Sequence, residues 1–194
     1  MKQNIAIFLS GTGSNARAIC TYFQNHPYIN VGLLLSNKVN SGAKSIGETY
    51  NIPYLIFNKD EFCNSELLLP KLNQHHITTI VLAGFLWLIP EYLLEAFPDR
   101  IINIHPALLP KYGGKGMHGI HVHEAVCKNK EKESGITIHL CNKEYDKGEI
   151  LFQKRVPLSE SETPDSIARA VLNLEHQFFP KVIEAFLLHG NVKL

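Results

Sequence analysis

Short apolar runs alternate with helical segments along the first hundred residues. Apolar strands separated by helices are typical of a parallel sheet that carries helices on both faces. The pattern therefore predicts a doubly wound arrangement for this part of the chain. The runs are IAIFL (5–9), VGLLL (31–35), PYLIF (53–57), TIVLA (79–83) and RIINI (100–104).

Two helix starts are predicted within this first part. Ser14 directly follows the first strand and its glycine-rich turn. Asn58 has Glu61 three residues later, which is the spacing of a capping box. Both positions therefore agree with helices that connect parallel strands.

A long helix is predicted to close the chain. Thr163 precedes Pro164, and proline is favoured at the first helical position. Pro180 is expected to bend this helix because it lacks an N–H group. The predicted apolar stripe consists of Ile167, Val171, Leu174 and Phe178.

The pattern changes after residue 130. The segments ESGITIHLC (133–141) and GEILFQKRV (148–156) alternate apolar and polar residues around the turn EYDKG. Such alternation predicts an antiparallel pair at the edge of the sheet. The 194 residues are enough for one sizeable core. The predicted fold class is α/β, with a single doubly wound, mostly parallel, Rossmann-like sheet that has antiparallel edge strands.

Composition restricts the possible partners. Lysine and arginine total 19 against 18 acidic residues, so the net charge of +1 gives no overall field that attracts nucleic acid or an anionic membrane. The longest apolar stretches are too short to span a membrane, and residues 1–9 lack the features of a signal peptide. The four cysteines are widely spaced and include no CxxC motif. We therefore expect a cytoplasmic protein with free thiols and without nucleic-acid or membrane partners.

The strand at residues 100–105 carries the main chemical candidates. Asn103 and His105 lie two residues apart, so they face the same side of the strand. Pro106 ends the strand, which places the pair at a carboxyl end, where open α/β sheets bind ligands. An amide donor beside an imidazole suits an acyl carbonyl that becomes negatively charged on attack. The alternative is a polar pair that is satisfied within the sheet.

Asp146, in the turn EYDKGE, is a candidate partner for this imidazole. If the edge strands pack beside the strand at 100–105, its carboxylate lies close to His105. A carboxylate there raises the histidine pKa and favours the charged form. The alternative is an aspartate that serves only the turn.

The segment SGTGSNA (10–16) joins the first strand to the first helix. Backbone amides in a glycine-rich turn and the helix amino end bind anions, so a side chain added at Gly13 is expected to fill the space of the anion. Gly11, Gly13 and Ala16 also match GxGxxA, the dinucleotide fingerprint. The carboxylate expected at the end of the second strand is missing from LLLSNK (33–38), although Ser36 to Lys38 suit NADP. A dehydrogenase and a turn without ligand stay open as alternatives.

The histidine cluster at residues 118–124 contains residue types that can bind a metal. Neither zinc-type spacing nor a second cluster supports a metal, and a helix separates His121 from His123. No metal is therefore expected. The cluster consists of His118, His121, His123 and Glu124.

Four motifs together resemble a known family. They are GTGSN after the first strand, LAGFLWLIP after the fourth, NIHPALLPKYGGKG at the fifth and YDKGEI near the end. Their combination resembles the phosphoribosylglycinamide formyltransferases, which are folate-dependent enzymes of purine biosynthesis, over essentially the whole chain. NIHPALLP alone also resembles formyltransferase domains that act on methionyl-tRNA or a UDP-sugar, and formyltetrahydrofolate hydrolase. The length and near-neutral charge lead us to expect neither the tRNA enzyme nor the hydrolase.

The resemblance implies a single formyltransferase domain over residues 1–194. Its nucleotide-binding half would cover about residues 1–100 and its folate and catalytic half about residues 84–194. The implied reaction transfers formyl from the co-substrate 10-formyltetrahydrofolate to the primary amine of 5-phosphoribosylglycinamide. The amide of Asn103 and a protonated His105 would stabilise the oxyanion, with Asp146 holding His105 charged. A monomer or homodimer is expected.

The resemblance also implies the binding residues. The ribotide phosphate would contact the loop after the first strand, and Glu175 its ribose hydroxyls. Trp87 stands where an arginine is frequent, Lys59 falls where the family often has an arginine, and the Leu109–Pro110 peptide is expected to be cis. The substrate-binding set is Gly11, Thr12, Gly13, Ser14, Asn15 and Glu175. The folate-binding set is Lys59, Leu86, Trp87, Leu88, Ile89, Asn103, Asn142, Lys143, Glu144, Tyr145 and Asp146.

Overall fold

The strands and helices follow the predicted order. This computed structural model describes residues 2–192. The strands are β1 (Gln3–Leu9), β2 (Ile29–Ser36), β3 (Tyr54–Ile56), β4 (Ile77–Leu82), β5 (Ile101–His105), β6 (Glu133–Leu140) and β7 (Ile150–Pro157). The helices are α1 (Ser14–Phe23), α2 (Ala43–Tyr50), α3 (Lys59–Cys63), α4 (Ser65–Gln74), α5 (Glu91–Ala96), α6 (Ile120–Lys128) and α7 (Pro164–His189). The strand order is β3-β2-β1-β4-β5-β6-β7, which confirms the α/β fold class. The chain divides into two compact units, Met1–Ile102 and Asn103–Leu194.

The first unit is built on parallel strand pairs. Strand β1 pairs in parallel with both β2 and β4, and β2 pairs in parallel with β3. Residues 5–9 of β1 are completely buried, as expected for a central parallel strand covered on both faces. The apolar runs of the first hundred residues are therefore strands, as predicted.

The predicted helix starts are confirmed. Asn58 Oδ1 accepts from the Glu61 amide at 2.9 Å, and Glu61 Oε2 accepts from the Asn58 amide at 2.8 Å. Thr163 forms the same kind of reciprocal cap for α7, with Pro164 in the first turn. Helix α1 begins at Ser14 after Gly13, whose φ of 79° is a left-handed conformation that favours glycine.

The second unit contains the predicted antiparallel pair. Strands β6 and β7 pair with Thr137 opposite Gln153. The Thr137 hydroxyl donates to the Ala107 carbonyl at 2.7 Å and accepts from the Leu109 amide at 3.0 Å. These bonds fix the segment that follows β5 onto β6. The Leu109–Pro110 peptide is cis, as the resemblance implied.

Helix α7 presents a different face to the core than predicted. Leu174 and Phe178 are only half-buried, whereas Glu175 and Phe179 are buried together with Ile167 and Val171. The buried face therefore rotates by one position along the second half of the helix. Phe178 instead stacks on Phe152 of β7, with ring centroids 5.3 Å apart. The predicted stripe was wrong in this half because a buried carboxylate occupies a position that hydrophobic periodicity assigns to a polar surface.

No helix within residues 2–192 has both the length and the apolar character that crossing a membrane requires.

The rotated face of α7 predicts unequal effects for two adjacent phenylalanines. Phe179→Ala removes a completely buried ring, so the free energy of unfolding should fall by about 3–5 kcal/mol. Phe178→Ala is the matched control and should cost clearly less, since that ring is half-exposed. Urea unfolding monitored by circular dichroism gives both values. Equal losses would contradict the assignment of the core face.

Candidate active site

The carboxyl end of β5 carries a polar cluster of Asn103, His105, His139 and Asp146. Asn103 Nδ2 donates to His139 Nε2 at 3.0 Å. His105 Nδ1 lies 3.5 Å from Asp146 Oδ2, and His139 Nε2 lies 3.6 Å from Asp146 Oδ1. The structure therefore brings the three predicted residues together, with Asp146 between two imidazoles.

His139 is not among the predicted site residues. It is 2% exposed on β6, and its Nδ1 donates to the Leu140 carbonyl at 2.8 Å. This bond leaves Nε2 to accept from Asn103, which orients the Asn103 amide. The alternation of β6 places His139 on the same face as Gly135 and Thr137. The strand alternation could therefore have identified His139 from the sequence. A histidine on a buried face needs a hydrogen-bond partner.

Both ring nitrogens of His105 have neighbours. Nε2 lies 2.7 Å from the carbonyl oxygen of Tyr112. A carbonyl can only accept, so Nε2 carries the hydrogen and donates. The second nitrogen, Nδ1, faces Asp146 and is the one left to take up a proton.

The charge state of His105 differs from the prediction. The ring is 4% exposed, and burial lowers its pKa below the ordinary value of 6.5. The Asp146 charge and the Tyr112 carbonyl act in the opposite direction, and the neighbouring His139 lowers the pKa further. The predicted effect of Asp146 has the right sign, but burial outweighs it. His105 is therefore neutral at neutral pH, which suits a proton acceptor better than a charged donor.

Asp146 is held in place by the loop that follows β5. Its side chain is 11% exposed, and Oδ2 accepts from the Gly114 amide at 2.8 Å. Burial acts to raise the pKa of this carboxyl, but the Gly114 amide and the neighbouring imidazoles, which stabilise the carboxylate when they carry a proton, together lower it. Asp146 therefore stays ionised across the neutral range.

The glycine-rich segment lies between β1 and α1 in the first unit. Gly11 and Thr12 are exposed, Ser14 is half-buried, and Gly13 and Asn15 are buried. The Gly11 carbonyl accepts from the Gly42 amide at 2.9 Å, which fixes the turn beside the start of α2. The exposed backbone of this turn thus adjoins the amino end of α1, as an anion site requires.

The expected role of Gly13 was wrong in one respect. A Cβ built at Gly13 would lie 2.7 Å from Ile46 and 2.8 Å from Leu9, so it would enter the core and not the space above the turn. A Cβ at Gly11 would meet nothing within 4 Å. A side chain at Gly11 would therefore extend into open space next to the turn.

The segment after β4 carries part of the predicted folate-binding set. Leu86 and Leu88 are each 40% exposed, while Ile89 is buried. The Leu86 amide donates to Ser10 Oγ at 3.1 Å, which connects this segment to the end of β1. The Lys59 ammonium lies 4.6 Å from the Trp87 ring centroid, close enough for a cation–π contact.

The remaining predicted residues lie in the second unit. Glu175 is 7% exposed on the inner face of α7. Asn142 closes the β6–β7 turn, where its Oδ1 accepts from the Glu144 amide at 2.9 Å and its Nδ2 donates to the Lys147 carbonyl at 3.0 Å. Lys143 and Tyr145 are exposed in the same turn, next to Asp146.

Ser36 and the histidines of α6 are the positions that the alternative chemistries would use. Ser36 is buried and bonds the amide and carbonyl of Lys38, so its hydroxyl is engaged in its own turn. On α6, His121 is exposed and His123 is buried, as the helical spacing predicted. Over residues 2–192 no three histidine, cysteine or acidic side chains are grouped so as to hold a metal ion. The cysteines are free thiols.

Buried histidines predict that stability falls in mild acid. Burial lowers the pKa of His105, His123 and His176 below 6.5. Below about pH 6.5 the unfolded chain therefore binds more protons than the folded chain does, which favours unfolding. The urea midpoint should therefore be lower at pH 5 than at pH 7.5. His123→Gln should reduce this loss, whereas His121→Gln, at an exposed position of the same helix, should not. A midpoint that stays constant down to pH 5 would contradict the lowered values.

Comparisons with known proteins agree on one family. A family model described as "Formyl transferase" matches residues 3–183. "Phosphoribosylglycinamide formyltransferase, chloroplastic" from Arabidopsis thaliana is 41% identical over 192 residues, which cover 95% of this chain and 65% of the relative. "Phosphoribosylglycinamide formyltransferase" from Bacillus subtilis is 32% identical over 190 residues, 95% of each chain. The chain thus spans about two thirds of the Arabidopsis relative and 61% of the Vigna unguiculata relative.

Solved structures give the same result. The phosphoribosylglycinamide formyltransferase from Anaplasma phagocytophilum superposes with a TM-score of 0.88 at 28% identity, covering 100% of this chain and 90% of that one. Glycinamide ribonucleotide transformylase 1 from Geobacillus kaustophilus gives a TM-score of 0.87 at 26% identity, covering 96% and 100%. The chain therefore belongs to the formyl transferase family and, within it, to the phosphoribosylglycinamide formyltransferases.

Proposed function

We propose that this protein transfers a formyl group from 10-formyltetrahydrofolate to the primary amine of 5-phosphoribosylglycinamide. The observation that carries the proposal is the cluster of an oriented amide, a neutral buried imidazole and an ionised carboxylate at the end of β5. The names of the relatives supply the substrate class. Use of the product in purine biosynthesis follows from the same relationship.

The acceptor needs little activation. A primary amine beside an amide carbonyl has a pKa of about 8, so part of it is already unprotonated at neutral pH. No serine or cysteine nucleophile is then required, and catalysis depends on positioning and on stabilising charge.

Asn103 is the proposed oxyanion donor. As the amine attacks, the formyl oxygen becomes negatively charged. One N–H of the Asn103 amide donates to His139, and the second is available to the oxyanion. Because His139 fixes the amide beforehand, the donor does not need to reorganise during the reaction.

His105 and Asp146 are proposed to manage the proton. The attacking amine must lose a proton, and the folate nitrogen must gain one as the carbon–nitrogen bond breaks. Neutral His105 accepts the first proton at Nδ1, directly or through water, and delivers a proton to the leaving nitrogen. Asp146, 3.5 Å from Nδ1, stabilises the imidazolium that forms between these steps.

The small molecules are proposed to bind through the predicted sets. Backbone amides at residues 11–15, together with the start of α1, hold the ribotide phosphate, and Glu175 bonds the ribose hydroxyls. In the first unit, the 86–89 segment presents backbone groups to the pterin. In the second unit, the turn at residues 142–146 contributes to folate binding. Lys59, held over Trp87, supplies positive charge for the folate tail. Location in the cytoplasm and assembly as a monomer or homodimer stay predictions.

Assaying acceptors tests this function. Purified protein is mixed with 10-formyltetrahydrofolate, and loss of the formyl-folate is followed with the ribotide, with methionyl-tRNA or with an amino-sugar nucleotide as acceptor. Loss that depends on the ribotide alone supports the proposal. Loss with another acceptor but not with the ribotide would reassign the substrate, and loss with none would overturn the function.

Replacing the polar cluster should slow the reaction itself. Asn103→Ala and His105→Ala should each lower kcat by on the order of a hundredfold or more, because oxyanion donors and proton carriers act in the transition state. The KM for the ribotide should change little. His121→Ala, at an exposed histidine of α6, serves as the control. Near-normal turnover in either variant would remove that residue from the mechanism.

The glycine-rich turn predicts a separation of binding from stability. Gly11→Val should raise the KM for the ribotide by roughly tenfold or more with little change in unfolding, since its side chain points into open space. Gly13→Val should instead destabilise the fold by about 1–3 kcal/mol, because it enters the core at a positive φ. Steady-state kinetics of both variants measure the KM for the ribotide, and urea unfolding measures their stability. An unchanged KM in Gly11→Val would place the phosphate elsewhere.

A further inference from the structure

A chain of contacts connects the surface near α6 to the catalytic imidazole. Glu131 Oε1 lies 2.9 Å from Tyr112 Oη and 2.9 Å from Lys111 Nζ. Asn129 Nδ2 donates to the same Tyr112 oxygen at 2.8 Å. The Tyr112 hydroxyl is therefore anchored by an acceptor and a donor, both located just after α6.

The backbone of Tyr112 makes the second half of the connection. Its carbonyl accepts from His105 Nε2 at 2.7 Å. Its φ of 58° is a left-handed conformation that a bulky residue rarely adopts. Such a conformation persists where surrounding contacts hold it, and here the anchored side chain supplies them. Two residues later, the Gly114 amide donates to Asp146. One short turn thus contacts both His105 and its carboxylate.

We infer that Glu131 is a positioning residue for formyl transfer, which acts through Tyr112 to keep the hydrogen of His105 on Nε2. The kinetic part of this inference rests on the proposed function. With the hydrogen fixed on Nε2, Nδ1 is the basic nitrogen and faces Asp146. Without the Tyr112 carbonyl, the carboxylate would favour the opposite tautomer, with the hydrogen on Nδ1, which cannot accept a proton there.

The other titratable groups around His105 do not hold its hydrogen on Nε2. Asp146 faces Nδ1 from the β6–β7 turn, His139 lies across Asp146 on β6, and His123 is the buried histidine of α6. The Tyr112 carbonyl is the acceptor found at Nε2 within the described part of the chain.

Space next to the loop leaves room for Tyr112 to shift when its hydrogen bond with Glu131 is removed. A cavity of about 240 Å³ adjoins the loop and is lined by Lys111, Tyr112 and Glu131, among others. Glu131 itself is partly exposed, and its hydrogen bonds with Lys111 and Tyr112 lower its pKa, so it is an ionised acceptor. Its replacement therefore leaves no large void in the core.

The chain offers a matched control for this role. Glu133 lies two residues after Glu131, lines the same cavity and also forms an ion pair, with Arg155. Its carboxylate has no contact with Tyr112 among the described hydrogen bonds. A general effect of surface charge or of cavity polarity should therefore appear equally in Glu131→Ala and Glu133→Ala.

The test combines nitrogen NMR of the His105 imidazole in the free protein with kinetics. Glu131→Ala should reduce the population with hydrogen on Nε2 and lower the pKa of His105, since the Tyr112 carbonyl raises it. The acidic limb of the pH dependence of kcat should then move to lower pH. We expect kcat to fall by roughly tenfold, less than the hundredfold that misplacing a reacting group costs, with KM within about twofold. Glu131→Gln retains an acceptor oxygen and should restore most of the loss.

Tyr112→Phe removes only the hydroxyl and should reproduce the spectrum of Glu131→Ala, so the inference does not depend on one variant. Glu133→Ala should match the wild type. A His105 spectrum that is unchanged in Glu131→Ala and Tyr112→Phe overturns the inference, as does a changed spectrum with unchanged kcat. Because the NMR arm needs no substrate, a wild type that shows the predicted tautomer but no formyl transfer would count against the proposed function alone.

Discussion

The polar cluster at the end of β5 depends on one ionised carboxylate, Asp146, whose side chain is mostly buried. The pKa of Asp146 is lowered although burial acts to raise it, because two imidazole nitrogens and the Gly114 amide lie around the carboxylate. The same burial keeps His105 neutral. A neutral base beside a fixed negative charge can accept a proton favourably, because the protonated base and the carboxylate then form an ion pair. The loop after β5 contacts both members of this pair, through the Tyr112 carbonyl and the Gly114 amide.

The loop geometry follows from hydrogen bonds between β6 and the segment after β5. Thr137 binds both Ala107 and Leu109 from a completely buried position, and Gln153 adds a bond to the Leu109 carbonyl. Strand β6 therefore supplies two kinds of support at positions two residues apart, since Thr137 fixes the loop and His139 fixes the Asn103 amide. Residues outside the proposed catalytic set thus determine where the Asn103 amide and the loop after β5 lie.

Much of the fold was accessible from the sequence. The parallel strands and the caps at Asn58 and Thr163 follow from local chemistry, and periodicity two correctly put Asn103 and His105 on one face. The errors arose where tertiary contacts decide. Periodicity could not show that Glu175 is buried on α7, that a Cβ at Gly13 meets Ile46, or that desolvation outweighs Asp146 at His105. His139 and Tyr112 were missed because their partners are distant in sequence or are backbone atoms.

The contact between Lys59 and Trp87 has an optical consequence. Trp87 is the single tryptophan of the chain, and it lies in the segment after β4 beneath a lysine ammonium. Trp87 lies next to the Lys59 ammonium and the rings of Phe57 and Phe62. The wavelength and intensity of indole fluorescence depend on such neighbours. The intrinsic fluorescence of this protein is therefore a native reporter of one loop, readable without any attached dye.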